Sequence, residues 1–378
     1  MTAILAVVIW FWWAGGKPKE LVNASPPPQK ESFASTTVNS SPVPTNRVVA
    51  TVPPPVSNPP PAIKTSPPPA VAIAPRAPEV ANTNTAAPST NGFPRLVRDV
   101  FEAQVALARF GISSGSLDGV MGSQTRAALI AYQQTKKLPA SGDLNAETRA
   151  ALQLSNVALV TYVVTPEDLA RLQPLSKTWL GKSQQSALDF ESILELVAER
   201  GRASPNLIRR LNPRVDWTNV TAGTEIKIPD ATNGLPTAKA AFAAIKLSEK
   251  NLEVFDAETN LLAHFPCSIA ARFDKRPVGE LHVKAIAPDP DYTFNPEVFP
   301  ESEEAQQIKT KLILPPGPNN PVGTAWVSLD RSGYGIHGTP NPEQVGRTES
   351  HGCFRLANWN AECFLKMVWI GMPVFVEP

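Results

Sequence analysis

Eighteen of the chain's 40 prolines fall between residues 18 and 92, a stretch with a single aromatic side chain, Phe33. So few large apolar groups cannot bury enough surface to offset an ordering entropy of roughly 1–2 kcal/mol per residue. The Pro-Pro-Pro triplets at 26–28, 53–55, 59–61 and 67–69 favour polyproline II, at about 3.1 Å per residue. Residues 17–92 therefore read as an extended spacer with a reach on the order of 200 Å. The folded mass must come from the 286 residues that follow (378 less 92). At ~100–200 residues per domain that is one large unit or two to three small ones.

Ahead of the spacer, Met1–Gly16 carries no charged side chain. As a helix it spans about 24 Å, short of the ~30 Å hydrocarbon core. Trp10, Trp12 and Trp13 beside Lys17 and Lys19 fit an interfacial belt. Three readings stay open for residues 1–16: a short membrane anchor, a signal-peptide core and a cytosolic amphipathic element. The first two place the rest of the chain outside the cytoplasm, tethered to the inner membrane if the segment is retained.

The totals exclude several classes. Thirty-five Lys+Arg against 34 Asp+Glu, with no basic block, argue against nucleic acid as a partner. Three cysteines (Cys267, Cys353, Cys363) and four histidines (His264, His282, His337, His351) cannot build a disulfide-dense scaffold or a set of zinc fingers. No Gly-rich phosphate loop is present.

Residues 93–155 read as three helices. An apolar stripe runs over 97–110 and stops at Gly111, Ser123 can cap a second helix to Leu138, and Asn145 a third to Leu152. The pattern Phe101…Leu107…Phe110-Gly111, Asp118-Gly119…Gly122…Thr125…Ala128…Tyr132-Gln133 and Leu138…Gly142…Thr148…Leu152 resembles the peptidoglycan-binding domain 1 family. That resemblance implies wall glycan or stem peptide as partner. Residues 156–236 read β-α-α-β, with a strand at Tyr162–Val164, helices after Ser192 and Ser204-Pro205, and a strand at Thr224–Pro229. Tyr162…Asp168, Ile193…Leu196…Ala198, Leu207…Leu211-Asn212-Pro213 and Ala222-Gly223…Ile226…Ile228-Pro229 make it similar to a LysM module, a second wall-binding type. About 24 residues between Asp168 and the next helix depart from that pattern.

Residues 237–378 are dominated by β signals: 244–247, 252–255, 261–269, 281–285, 325–329, 334–337 and 374–376 alternate or run apolar, and only Trp359–Trp369 has helical period. The fold class is a multidomain chain ending in a mainly β sandwich or barrel. His337 closes a strand as Ile336-His337-Gly338-Thr339, and 16 residues on, Ser350-His351-Gly352-Cys353-Phe354-Arg355 sets a cysteine between a glycine and an arginine. An ordinary thiol is only about 3% ionised at pH 7, so attack on an amide needs a base or cation nearby. The two histidines are candidates. A buried inert cysteine stays open as an alternative, and a zinc site from His337, His351, Cys353 and Cys363 fits no familiar spacing.

The run Pro318-Asn319-Asn320-Pro321-Val322-Gly323…Gly333-Tyr334-Gly335-Ile336-His337-Gly338-Thr339…Gly346-Arg347…Ser350-His351-Gly352-Cys353-Phe354-Arg355-Leu356 resembles the YkuD-type L,D-transpeptidase catalytic domain. The resemblance implies Cys353 as nucleophile, His337 as general base and the Gly338 carbonyl as its orienter. It implies Ser350, His351 and Gly352 around the oxyanion, Arg355 holding the loop or a stem carboxylate, and Tyr334 shaping the pocket. No metal or organic cofactor is implied. The acceptor is a second stem, water (an L,D-carboxypeptidase) or an envelope protein, and a silent wall anchor is the non-enzymatic alternative. Cys267-Ser268-Ile269-Ala270 and Arg276-Pro277-Val278-Gly279 stand where the family has other residues, and Phe354 where Ile or Val is usual. Cys267 and Cys363 read as two buried thiols.

Overall fold

The computed structural model describes residues 92–231, 238–299, 302–347 and 352–378. The expected anchor or signal segment (1–16) and all but the last residue of the spacer (17–92) lie outside them. Among the described residues no helix is long and apolar enough to cross a membrane.

The first module holds α1 (Val100–Arg109), α2 (Ser123–Thr135) and α3 (Ala146–Ala151), with the short pair β1 (Arg95–Leu96) and β2 (Gln153–Leu154) tying its ends together. Asp99 caps α1 and Asn145 caps α3 through their side-chain oxygens. The expected cap at Ser123 falls one residue early. Gly122 is the N-cap of α2, and no side chain caps that helix. Two buried glutamines explain much of the motif here. Gln104 accepts from the Asp118 and Gly119 amides and donates to Thr125, and Gln133 accepts from Gly142 and donates to Thr148. Each amide side chain satisfies the backbone of a tight Gly turn that packing alone would leave orphaned.

The second module pairs β3 (Leu159–Val163) antiparallel with β4 (Glu225–Pro229). Between them run α4 (Pro166–Arg171), α5 (Trp179–Ser183), α6 (Ile193–Arg200) and α7 (Pro205–Leu211). Ser192 and Ser204 cap α6 and α7 as their positions predict. The two modules share one core: Leu107, Leu129 and Tyr132 belong to the same buried cluster as Leu196, Ile208 and Ile226. A buried Arg109–Asp230 ion pair at 3.1 Å bridges them.

The third module is an eight-stranded mixed sheet. Its strands are β5 (Phe242–Lys246), β6 (Asn251–Phe255), β7 (Leu261–Pro266), β8 (Gly279–Pro288), β11 (Ala325–Leu329), β12 (Gly335–His337), β13 (Phe354–Arg355) and β14 (Pro373–Glu377). Their order is β13-β12-β11-β8-β14-β5-β6-β7. A separate ribbon of β9 (Tyr292–Phe294) and β10 (Leu312–Leu314), with α8 (Glu303–Gln307) between, interrupts the chain. The two edges of the large sheet nearly meet. Ser268, two residues past β7, exchanges backbone hydrogen bonds of 2.9 and 3.0 Å with Arg355 of β13 at the opposite edge. That contact curls the sheet toward a barrel and removes an exposed edge. Helix α9 (Asn358–Met367) packs Phe364 and Met367 into the core against Val283, Val327 and Val374. Cys267 and Cys363 are free and buried, as expected, and burial raises both thiol pKa values.

The long departure between Asp168 and α6 has a physical role. In it, Trp179 stacks on Phe294 at 4.4 Å between ring centroids, with Phe299 at 6.1 Å. Glu304 of α8 accepts from the Trp179 and Leu180 amides. The insertion thus holds the β9–β10 ribbon.

Candidate active site

Register across β11, β12 and β13 decides which side chains meet. Val327, Ile336 and Phe354 form one row, and all three are buried in the core. Phe354 therefore fills a core position, as a larger replacement for the usual aliphatic residue. Side chains alternate across a strand, so the adjacent row of Trp326, His337 and Arg355 faces the other way. Cys353, one residue ahead of β13, falls beside Gly335 on that same face. The parallel pairing of β12 with β13 brings together two residues 16 positions apart.

His337 is 4% exposed, and its Nδ1 lies 2.6 Å from the Gly338 carbonyl oxygen. A carbonyl only accepts, so Nδ1 carries the proton and Nε2 is a bare acceptor. Burial drives the imidazole pKa down to about 4; the Gly338 bond opposes that and the Arg355 charge adds to it. The ring is therefore neutral at pH 7. Trp326 stacks on it at 5.4 Å and 26°, an approach that Gly335 permits, because a Cβ there would come within 2.6 Å of the indole.

Cys353 is half-buried, and its Sγ points at the Gly333 carbonyl at 3.6 Å. Burial raises its pKa, offset by the Gly335 backbone and the Arg355 charge. At rest this face of the sheet thus carries a thiol and a neutral imidazole. Arg355 is half-buried between the thiol and Tyr292, whose own pKa burial also raises. Among the described residues, a Cβ built on Gly352 would stand 3.9 Å from Tyr334 Cε1, an ordinary contact. Ser350 and His351 lie outside the described residues.

Sequence reasoning passed over three neighbours. The sequence marks Trp326 only as part of the strand at 325–329. Tyr292 comes from the β9–β10 ribbon, for which the sequence carries no period. Asn358 is 1% exposed at the start of α9; it donates to the Pro318 carbonyl at 3.1 Å and accepts from the Thr324 amide at 3.4 Å. Its Oδ1 fills the space that Cβ atoms on Gly323 and Gly338 would need. Asn358 thereby backs the turn whose carbonyl orients His337. The departing segment at Cys267–Ser268 borders the site as the backbone partner of Arg355.

Residues 241–376 match the family model of the YkuD L,D-transpeptidase catalytic domain. The carboxy-terminal domain is an L,D-transpeptidase catalytic domain. Residues 98–152 match the model of a putative peptidoglycan binding domain, so both matches point to peptidoglycan as partner. The putative L,D-transpeptidase YkuD of Bacillus licheniformis is 25% identical over 185 residues, 49% of this chain and 93% of that protein. The putative L,D-transpeptidase YqjB of Bacillus subtilis is 31% identical over 108 residues, 27% of this chain and 52% of that protein. Among solved structures, an L,D-transpeptidase from Xylanimonas cellulosilytica aligns with a TM-score of 0.32 and 14% identity, covering 75% of this chain and 98% of that one. One from Mycobacterium smegmatis aligns at 0.29 and 18%, covering 42% and 65%.

Proposed function

We propose that the chain is a peptidoglycan L,D-transpeptidase acting through a Cys353 acyl-enzyme. Nε2 of neutral His337 takes the thiol proton as Sγ attacks the carbonyl of the third stem residue. The bond to the terminal D-Ala nitrogen breaks, and the same proton passes to that leaving amine. An amine of a neighbouring stem then attacks the thioester, giving its proton through His337 back to the departing sulfur. Amides around Ser350, His351, Gly352 and Cys353 receive the oxyanion. Arg355 adds positive charge beside the thiol, Gly338 orients the base, and Tyr334 forms a wall. Residues 93–155, and residues 156–236 as a LysM-like module, raise the local concentration of wall, which sets the work in the cell envelope.

The observation that carries this reading is the 2.6 Å contact of His337 Nδ1 with the Gly338 carbonyl, which leaves Nε2 unprotonated on the face of Cys353. The test incubates the chain with disaccharide-tetrapeptide and reads products by mass spectrometry. A cross-linked dimer lacking one D-Ala is expected. Free tripeptide alone replaces the reading with an L,D-carboxypeptidase. A carbapenem adduct on Cys353 without product points to an envelope-protein acceptor. Neither adduct nor product leaves a wall anchor, and an adduct that persists in Cys353→Ala removes the nucleophile from the account.

A further inference from the structure

Helix α6 of the second module reaches the support of the catalytic base. Glu195 and Glu199 are one turn apart on it and share a face. That face lies on segment 315–323 of the catalytic domain. Glu195 accepts from Asn319 Nδ2 at 2.5 Å, and the same nitrogen donates to the Asp189 carbonyl at 3.1 Å. The backbones are joined as well. The Leu188 amide donates to the Pro316 carbonyl and the Asn319 amide to the Leu188 carbonyl, each at 2.9 Å. Gly317 approaches so closely that a Cβ there would run into the Leu188 backbone.

One turn on, Glu199 and Asn358 line the same cavity of about 180 Å³. The Asn358 Nδ2 group has two hydrogens to place. It donates to the Pro318 carbonyl at 3.1 Å, and the side chain also hydrogen-bonds Glu199. Its Oδ1 accepts from the Thr324 amide and packs against Gly323 and Gly338. Thr324 is held from a second side, where its Oγ1 donates to Glu362 at 2.6 Å. Burial, with the Glu362 and Glu195 charges behind it, pushes Glu199 up to about 8, against the Asn358 bond and the Arg202 charge. At pH 7 Glu199 is therefore a neutral carboxyl whose carbonyl oxygen takes the second Asn358 hydrogen. An alkyl group in its place would orphan that hydrogen and free the amide to turn over. Nδ2 would then face the Thr324 N–H, donor against donor, and the turn at Gly338 would lose its backing.

We propose that Glu199 is a positioning residue for the reaction: it fixes the Asn358 amide behind the Gly338 turn, so that a side chain of the second module sets the orientation of His337. The inference rests on the cysteine–histidine chemistry proposed above. It makes the second module part of the catalytic apparatus as well as a candidate wall-binding element.

The test follows carbapenem acylation of Cys353 in the full chain by intact-protein mass spectrometry, at pH 7 and well below every Tm. Glu199→Ala is expected to slow the maximal acylation rate at least tenfold while the half-saturating concentration stays within twofold. Glu199→Gln, which offers the same carbonyl oxygen, should stay within threefold of the parent. Asn358→Ala should lose as much as Glu199→Ala, and the double variant no more than the larger single loss, because the two side chains act as a unit. In a His337→Asn background, Glu199→Ala should slow the reaction no further. Multiplying losses in the double variant, or a parental rate in Glu199→Ala, overturns the proposal. A second readout needs no activity. Amide hydrogen exchange of the peptide spanning 318–325 should speed up at least tenfold in Glu199→Ala and stay parental in Glu199→Gln; equal exchange in the parent and Glu199→Ala also overturns it. A parent that takes no adduct on Cys353 removes the enzymatic reading, and the exchange comparison then decides by itself whether Glu199 holds the turn.

Discussion

Replacing His337 by Asn tests the neutral thiol–imidazole pair directly. The Asn amide nitrogen can keep the bond that Nδ1 makes to the Gly338 carbonyl, while the Nε2 base disappears. Without a base, only thiolate reacts. Burial holds the Cys353 pKa above the ordinary thiol range, so fewer than about 3 in 100 thiols are ionised at pH 7. The variant should therefore acylate at least about 30-fold more slowly there, a loss of ~2 kcal/mol in the barrier. The assay follows carbapenem acylation by intact-protein mass spectrometry against pH. In the parent, His337 titrates near 4, so the second-order rate should rise through that value and then stay flat across neutral pH. In His337→Asn it should climb tenfold per pH unit until the thiol ionises. A parent inflection between pH 6 and 7 would show a preformed thiolate–imidazolium pair, and a flat profile in the variant a thiolate formed without the histidine; either result refutes the reasoning.

Two other perturbations follow from the same contacts. Trp179→Ala removes the stack on Phe294 and Phe299 and should cost about 3 kcal/mol in denaturant melts. It should also slow acylation, because the ribbon carrying Tyr292 loses its support, with Trp179→Phe recovering most of both. The second concerns acid. His337 takes up its proton near 6.5 when unfolded but only near 4 when folded, so the unfolded chain binds more protons between those values. Stability is therefore lost as pH falls from 6.5 toward 4, by roughly 3 kcal/mol for this group. Glu199, pushed up to about 8 by burial and the nearby Glu362 charge, has the opposite slope above pH 4.5, so the readout is the difference in Tm between parent and His337→Asn across that window.

Local features of this fold were legible where they depend on neighbours in sequence. The strand at 325–329 and the caps at Asn145, Ser192 and Ser204 sit where alternation and side-chain oxygens place them, and the helical period read over Trp359–Trp369 lies in a helix that runs Asn358–Met367. The β9–β10 ribbon escaped because Tyr292–Phe294 and Leu312–Leu314 are three-residue strands whose burial comes from Trp179, more than 110 positions away. Gly122 escaped for a different reason: the usual rule seeks a hydroxyl or carboxylate at the cap, and Ser123 stood next door.

Pairing of nucleophile and base could be inferred from resemblance, but not from sequence physics, because it depends on register. A shift of one residue between β12 and β13 would turn Cys353 into the core and Phe354 out of it. What holds the register is apolar: Phe354 and Ile336 are each 1% exposed, and Ser268 grips Arg355 through two backbone bonds. The large side chain after the cysteine therefore anchors the strand that presents the thiol. The segment that departs from the family pattern, Cys267–Ser268, supplies that strand's other neighbour. The chemistry of the site follows from the same burial. A sheet face closed by Trp326, Tyr292 and Arg355 is dry enough to keep His337 neutral, and neutrality is what lets it accept a proton.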